Sequence, residues 1–260
     1  MEVFFEKYQG TGNDFILLDN RDHRYDSLTS SNISFLCDRK FGIGADGLML
    51  LNIHPTYPFE MVYFNADGQT SSMCGNGGRC IVHFAKQKNV FQGEKVEFIA
   101  IDGLHSAFIS DEVSLQMNDV SLIQSHGDDY VLDTGSPHYV QYVDDLHDVD
   151  IVAEGKKIRY SSDFNQEGIN VNFIEHLGSS IIDIATYERG VENETLSCGT
   201  GATACALVHA MLFAESTQNS IQVRTKGGSL RIKYHRVNNT FTNIWLCGPA
   251  QPVYKGQINI

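Results

Sequence analysis

Two cysteines stand at the start of glycine-rich segments, in MCGNGGRC (residues 73–80) and in SCGTGATAC (residues 197–205). The residues that follow each cysteine are small and then apolar at helical spacing, so we expect Cys74 and Cys198 at the N-terminal ends of two helices. The backbone N–H groups and the dipole at such an end stabilise a thiolate and bind an anion such as a carboxylate. Each segment therefore offers a reactive sulfur beside a carboxylate site.

A pair of activated cysteines suits the inversion of an amino acid at its α-carbon. One cysteine takes the α-proton as a thiolate base, and the other returns a proton as a thiol acid. This chemistry requires no cofactor in principle. The alternative from a different class is a dithiol redox protein, because two activated thiols that face each other can oxidise. The other four cysteines are expected to be small buried side chains: Cys37, Cys80, Cys205 and Cys247.

The two cysteine segments belong to a longer repeat, since Cys74 and Cys198 are 124 positions apart in a chain of 260 residues. Three further pairs follow in the same order at 123 or 124 positions: Gly12 with Gly135, Gly44 with Gly168, and Phe64 with Tyr187. Two similar strand–glycine–helix stretches without a duplication are the alternative. The ordered series favours two half-domains of one architecture.

The local patterns predict many short strands and few helices. Strands are expected in segments such as FILLDN, LMLLNI and IIDIATYE, and helices in NISFLCDRK, NGGRCIVHFAKQK and GATACALVHAMLF. We predict an α+β fold with two pseudo-symmetric, barrel-like domains of strands, each around a central helix. The expected domains are residues 1–118 with Cys74 and residues 119–249 with Cys198, and a final strand at 250–260 packs back on the first.

The composition narrows the class of partner. The formal net charge of −13 argues against a nucleic-acid partner, because nucleic-acid-binding proteins usually carry a basic face. No run of about 18 apolar residues predicts a membrane span, and the N-terminus does not resemble a signal peptide, so we expect a cytoplasmic protein. Neither C-x-x-C nor H-E-x-x-H occurs, so no metal site is expected.

Five segments together closely resemble the diaminopimelate epimerase family: GTGNDF, FNADG, MCGNGGRC, YERG and SCGTGA. The resemblance extends from about Lys7 to the C-terminal GPAQPVYKG, nearly the whole chain. It implies an isomerase that does not depend on pyridoxal phosphate and interconverts LL- and meso-2,6-diaminopimelate in lysine and peptidoglycan precursor synthesis. It also implies the two-domain fold in which each domain surrounds a central helix.

The resemblance also implies roles for individual residues. Cys74 and Cys198 match the catalytic pair. Nine residues match substrate-binding positions: Asn13, Asn65, Gly75, Asn76, Asn170, Glu188, Arg189, Gly199 and Thr200. Two more are further candidates near the site: Ser136 and His138.

These residue types suit a substrate with two amino-acid ends. The backbone of Gly75, Asn76, Gly199 and Thr200 matches the cradle for the carboxylate at the reacting carbon. At the distal end a guanidinium such as that of Arg189 can pair a carboxylate through two hydrogen bonds. Asparagines can hydrogen-bond the same carboxylate, and the neighbouring glutamate can accept from an ammonium group.

Two positions depart from the family pattern. Ser136 stands where several members have asparagine, and Gly47 stands where some have glutamine. Serine is shorter, so one distal contact is expected to be lost or bridged by water.

The enzyme alternative is a proline racemase or hydroxyproline epimerase. The asparagine after the first CG argues against it, because those enzymes carry a histidine there. The YERG arginine argues against it as well, because those enzymes need no clamp for a distal carboxylate. A homodimer through a strand-rich face is a further expectation.

Overall fold

The computed structural model describes residues 1–215 and 219–260. Contacts divide the chain into two compact units. The first unit comprises Met1–Leu115 and Gly248–Ile260, and the second comprises Gln116–Cys247. The sequence placed these divisions after residues 118 and 249.

The first unit has the order strand, strand, helix, strand, strand, helix and further strands. The first unit contains β1 (Glu2–Gly10), β2 (Asn13–Asp19), α1 (Ser30–Cys37), β3 (Gly47–Asn52), β4 (Glu60–Asn65), α2 (Gly75–Gln87), β5 (Lys95–Ala100), β6 (Gly103–Ile109) and β7 (Val113–Gln116). The second contains β8 (Gln124–His126), β9 (Asp129–Asp133), β10 (Pro137–Val143), α3 (Ile151–Arg159), β11 (Asn170–Gly178), β12 (Ile181–Glu188), β13 (Asn193–Thr195), α4 (Gly199–Phe213), β14 (Ser220–Thr225), β15 (Gly228–Val237) and β16 (Thr240–Gly248). The second unit repeats the order of the first with one additional strand, β8, at its start and another, β13, before its second α-helix. A short 3₁₀ turn, Leu146–Asp148, precedes α3, and β17 (Gln251–Asn259) returns the chain to the first unit.

Strand pairing is the same in both units. In the first, β1–β2 is antiparallel, β2–β3 parallel, β3–β4 antiparallel, β4–β5 parallel, and β5–β6 and β6–β7 antiparallel. The second repeats this series with β9–β10, β10–β11, β11–β12, β12–β14, β14–β15 and β15–β16. The α+β class and the strand-rich architecture with few helices are confirmed. The common topology is what an internal duplication predicts.

Each unit has one helix inside its strands. The side chains of α2 pack against β1, β2, β3 and β6, and those of α4 against strands β9 to β12, β14 and β15. Cys80 and Cys205, on these two helices, have no exposed surface. Strands contact α4 on most of its sides, and its segment GATACALVHAML accordingly carries no charge. Among the described residues no helix is long and apolar enough to cross a membrane.

The termini of the chain meet in the first unit. Strand β17 pairs antiparallel with β1 from Asn259 opposite Glu2 to Gln251 opposite Gln9. The residues of β17 are exposed along almost the whole strand. This strand therefore extends the sheet of the first unit and presents its faces to solvent.

One helix, α3, was missed by the sequence analysis. Its segment IVAEGKKIR has little apolar periodicity, and an internal glycine weakens a helix by about 1 kcal/mol relative to alanine. Two other features stabilise the α3 helix. Asp150 caps the first turn by accepting the Ala153 N–H at 2.9 Å, and Gly155 lets the helix lie directly on Tyr187 of β12. A Cβ at residue 155 would be 2.4 Å from the Tyr187 Cβ.

We predict that Gly155→Ala destabilises the protein by about 1–3 kcal/mol, because the added methyl group overpacks the contact with Tyr187. The measurement is the free energy of unfolding in urea, followed by circular dichroism. Gly178→Ala is the matched control, since the nearest atom to its added Cβ is a methyl carbon of Ile181 at 3.8 Å. Equal effects of the two substitutions would contradict the packing argument.

Candidate active site

Both motif cysteines cap a central helix. Cys74 is the N-cap residue of α2, and its Sγ accepts the Gly77 N–H at 3.4 Å. Cys198 is the N-cap residue of α4, and its Sγ lies 3.4 Å from the Thr200 hydroxyl. Each cysteine therefore stands directly before a first helical turn, where partial positive charge stabilises anions, and the Cys74 sulfur accepts one of the N–H groups of that turn.

The Cys74 sulfur also contacts the start of β2. Its Sγ is the donor to the Asn13 Oδ1 at a distance of 3.6 Å. Asn13 follows a tight turn in which Thr11 and Gly12 adopt positive φ angles of 51° and 85°. This turn ends the β1–β2 hairpin and so carries the asparagine to the end of α2.

An ion-pair network holds Asn13 from the other side. Its Nδ2 donates to Asp46 Oδ2 at 2.6 Å. Arg39 donates to both oxygens of Asp14, at 2.7 and 2.9 Å, and to Asp46 at 2.7 Å. The buried Lys7 ammonium lies 2.8 Å from Asp14. Burial acts to raise the pKa of the Asp14 carboxyl, but the hydrogen bonds and charges of Arg39 and Lys7 outweigh it and hold the pKa well below its usual value.

The first turn of α2 is fixed by a buried arginine that the sequence analysis did not single out. Arg79 has no exposed surface. Its guanidinium donates to the Gly75 carbonyl at 3.3 Å, to the Asn76 side-chain oxygen at 3.1 Å and to the Thr11 hydroxyl at 3.2 Å. Its position one turn into GNGGRC is the signal that points to this role, because the side chain reaches back over the turn after the cysteine.

The first turn of α4 is fixed differently. The Thr134 hydroxyl donates to the Thr200 carbonyl at 2.9 Å. Gly201 leaves room for Asn172, whose Oδ1 would be 2.5 Å from a Cβ at that position. Any larger residue would therefore displace the turn that follows Cys198.

Two of the predicted substrate-binding residues of the second unit, Asn170 and Arg189, lie together with the further candidate Ser136. Asn170 donates from Nδ2 to the Ser136 hydroxyl at 2.9 Å and accepts the Arg189 backbone N–H at 2.9 Å. The Arg189 guanidinium donates to the same hydroxyl at 3.4 Å and to the Glu167 carbonyl at 2.9 Å. The guanidinium, the amide and the hydroxyl thus form one polar cluster, with Glu188 immediately before it at the end of β12.

His138 is fully buried and is held by an asparagine that the sequence analysis missed. The Asn172 Nδ2 lies 2.9 Å from the Tyr139 carbonyl, which only accepts, and 3.1 Å from the His138 Nδ1. Nδ1 is therefore the acceptor, so the ring proton is on Nε2, and this atom has no hydrogen-bond partner among the described residues. Burial, and next to it the Arg189 charge, lower the pKa of His138 to about 3.

Asn65 lies at the exposed end of β4 and is separated from β2 by one strand. Gly47 of β3 pairs with Phe15 on one side and with Asn65 on the other. A Cβ at residue 47 would be 2.5 Å from the Tyr63 ring and 2.6 Å from the Phe64 backbone oxygen. The tyrosine ring therefore occupies the space that a longer side chain at position 47 needs.

The comparisons with known proteins give one family. The family model for diaminopimelate epimerase matches residues 5–123 and 130–253. A diaminopimelate epimerase of Flavobacterium psychrophilum is 50% identical over 254 residues, which cover 97% of this chain and 98% of that protein. One of Chlorobaculum tepidum is 39% identical over 96% of this chain and 99% of that protein.

Solved structures of low sequence identity share the fold. A phenazine biosynthesis protein of the PhzF family from Bacillus anthracis superposes with a TM-score of 0.76 at 10% identity, over 100% of both chains. A hydroxyproline epimerase from Agrobacterium vitis gives a TM-score of 0.68 at 13% identity, over 99% of this chain and 92% of that chain.

The buried His138 predicts a pH dependence of stability. In the unfolded chain a histidine binds its proton near pH 6.5, whereas folded His138 binds it only near pH 3. The unfolded state thus holds more protons between these values, and the free energy of unfolding falls as the pH is lowered through this window. In His138→Gln we expect this slope to be shallower by up to about 1.4 kcal/mol per pH unit. Urea unfolding between pH 6.5 and 4.5 measures it, and identical slopes would contradict the assignment.

Proposed function

Since this chain belongs to the diaminopimelate epimerase family, we propose that it interconverts LL- and meso-2,6-diaminopimelate without a cofactor. The observation that carries the proposal is that both motif cysteines cap the central helix of their unit. A helix N-terminus binds carboxylate and stabilises thiolate, which are the two requirements for taking a proton from the α-carbon of an amino acid.

The proposed reaction transfers protons between carbon and sulfur. One cysteine, as thiolate, takes the α-proton on one face and becomes a thiol. The other, as thiol, gives its proton to the opposite face and becomes a thiolate. Cys74 and Cys198 exchange these roles between the two substrate stereoisomers, and solvent exchange resets them for the next substrate molecule.

The carboxylate at the reacting carbon is assigned to the first helical turns. Backbone N–H groups of Gly75, Asn76, Gly199 and Thr200 are the proposed donors. Negative charge moves onto this carboxylate as the α-proton leaves, so fixed N–H groups stabilise the transition state more than the bound substrate.

The distal amino-acid end is assigned to the cluster of Ser136, Asn170 and Arg189, with Glu188 for the ammonium group. Arg189 supplies a planar pair of donors for the distal carboxylate. Its 3.4 Å contact with the Ser136 hydroxyl is long for a strong hydrogen bond, so a carboxylate can replace this contact at little cost. The 2.9 Å hydrogen bond to the Glu167 carbonyl holds the guanidinium in place. Asn13 and Asn65 are the proposed contacts from the first unit.

The test of the reaction uses reduced protein, LL-diaminopimelate and heavy water. We expect deuterium at the α-carbon and formation of the meso isomer, followed by NMR and chiral chromatography. Cys74→Ala and Cys198→Ala should each lower the rate by about 10³-fold or more, since each removes an obligatory acid or base. Cys80→Ala and Cys205→Ala, which remove buried thiols from the same two helices, are the matched controls and should retain turnover.

The alternatives are separated by the same experiment. Turnover of proline or hydroxyproline instead of diaminopimelate would assign the chain to the other epimerase class. Disulfide formation between the two cysteines without turnover of any amino acid would favour a redox protein.

We predict that Arg189→Gln lowers kcat/KM for diaminopimelate by about 10²-fold, because a neutral amide cannot replace a bidentate ion pair with the distal carboxylate. Steady-state kinetics measure the effect. Arg224→Gln is the control, since Arg224 pairs with Asp183 on the exposed side of β14 and touches no proposed site residue. Equal kcat/KM values for the two variants would exclude Arg189 as the distal clamp.

Three broader expectations accompany this function. Participation in lysine and peptidoglycan precursor synthesis follows from the substrate. A cytoplasmic location stays a prediction. So does the homodimer, for which the exposed strand β17 is the surface we propose, because an exposed strand offers backbone groups for pairing with a second copy.

A further inference from the structure

We infer that Asp46 is a positioning residue that orients the Asn13 amide so that its oxygen, rather than its nitrogen, faces the Cys74 thiol. Asp46 immediately precedes β3 and acts on the sulfur through Asn13. The inference rests on the proposed function only in taking Cys74 as a catalytic group.

The orientation of Asn13 follows from the chemistry of its partner. An ionised carboxylate accepts hydrogen bonds and donates none. Asp46 Oδ2 lies 2.6 Å from one end of the Asn13 amide, so that end is the –NH₂ group. The other end is then the oxygen, which lies 3.6 Å from the Cys74 Sγ.

The Asp46 carboxylate is itself fixed at both oxygens. Its Oδ1 accepts from Arg39 Nη2 at 2.7 Å, and its Oδ2 also accepts the Asp14 backbone N–H at 3.2 Å. Arg39 is in turn held by the Asp14 carboxylate, next to Lys7. The carboxylate therefore cannot rotate away from Asn13 without breaking charge-assisted hydrogen bonds.

The orientation of the amide matters for the protonation of the sulfur. An amide oxygen accepts a hydrogen bond from a thiol and repels a thiolate, whereas an amide N–H group stabilises the thiolate. The Gly77 N–H, 3.4 Å from Sγ on the helix side, favours the thiolate. Asn13 thus opposes the helix N-terminus and favours Cys74 in the protonated form that can deliver a proton. The charged groups on this side are Lys7, Asp14, Arg39 and Asp46 behind Asn13, and Arg79 on α2.

Asp46→Asn is the substitution that reverses the orientation of the Asn13 side-chain amide. The amide oxygen of the new asparagine can accept from either the charged Arg39 guanidinium or the neutral Asp14 N–H. The charged donor makes the stronger hydrogen bond, so the oxygen stays on the Arg39 side. The –NH₂ group then faces Asn13, which must turn its own oxygen towards residue 46 and its nitrogen towards Cys74. Asp46 is 42% exposed, so the shape-conserving change should leave the fold intact, as a thermal melt would verify.

The measurement is the pH profile of iodoacetamide reaction at Cys74, resolved from the other cysteines by peptide mass spectrometry of the full-length protein. In Asp46→Asn we expect the midpoint of the profile to fall by about one pH unit, since a donor now faces the thiolate. Asp19→Asn is the matched control. It removes the ion pair with Arg21 at the far end of β2 and should keep the wild-type profile.

A double-mutant cycle tests whether Asp46 acts through Asn13. In Asn13→Ala, adding Asp46→Asn should leave the midpoint unchanged. A wild-type profile in Asp46→Asn would overturn the inference. The same fall in the Asn13→Ala background would also overturn it, because Asp46 would then act through its charge alone. If Asp46→Asn does not fold, Asp46→Ala replaces it in the same cycle. This substitution frees the Asn13 amide to rotate, so a smaller fall of the midpoint of the alkylation profile is expected.

This experiment is independent of the epimerase test, because alkylation is measured without an amino-acid substrate. A wild-type protein that fails to turn over diaminopimelate would remove the proposed function and leave the alkylation profiles to decide the role of Asp46. A normal rate of turnover together with unchanged profiles would overturn only the role of Asp46.

Discussion

Each unit depends on the burial of one helix inside its strands. A helix in that position carries mostly small or apolar side chains, any buried polar group on it needs partners, and its first turn must find partners for its backbone N–H groups. Glycines after the cysteine keep that turn open to an anion, and Cys74, Arg79 and Thr134 fix its other atoms. The packing of the core and the location of reactive sulfur are therefore set by the same short segment of sequence.

Much of the architecture could be predicted from the sequence, because the signals were local. The central helices and most strands follow from the periodicity of apolar residues, and the repeated spacing of glycines predicts the second unit. Gly12, Gly44, Gly135 and Gly168 all adopt positive φ angles, so the spacing that revealed the repeat reflects backbone conformations that favour glycine. Helix α3 was not predicted because its stability comes from the Asp150 cap and from contact with Tyr187, and only the cap is a local feature of the sequence.

The site was predictable in part for the same reason. The cysteines are local features of two motifs, whereas Asn13 is held by Asp46, and Asp46 in turn by Arg39, which only the folded chain brings together. Asp14, next to Asn13, is the centre of an ion-pair network with Lys7 and Arg39 that no local pattern indicates. The neutral state of His138 likewise depends on its burial beside Asn172, and no spacing in the sequence encodes that.

The contact between Gly47 and Tyr63 has a consequence for how the sequence can change over time. A Cβ at residue 47 would also lie 2.6 Å from the Phe64 backbone oxygen, so a glutamine there needs both a smaller residue at position 63 and a shift of β4 against β3. A longer side chain at position 47 alone clashes, and a smaller one at position 63 alone leaves a void. A change at position 47 is therefore expected to be inherited together with a different packing of β4 on β3.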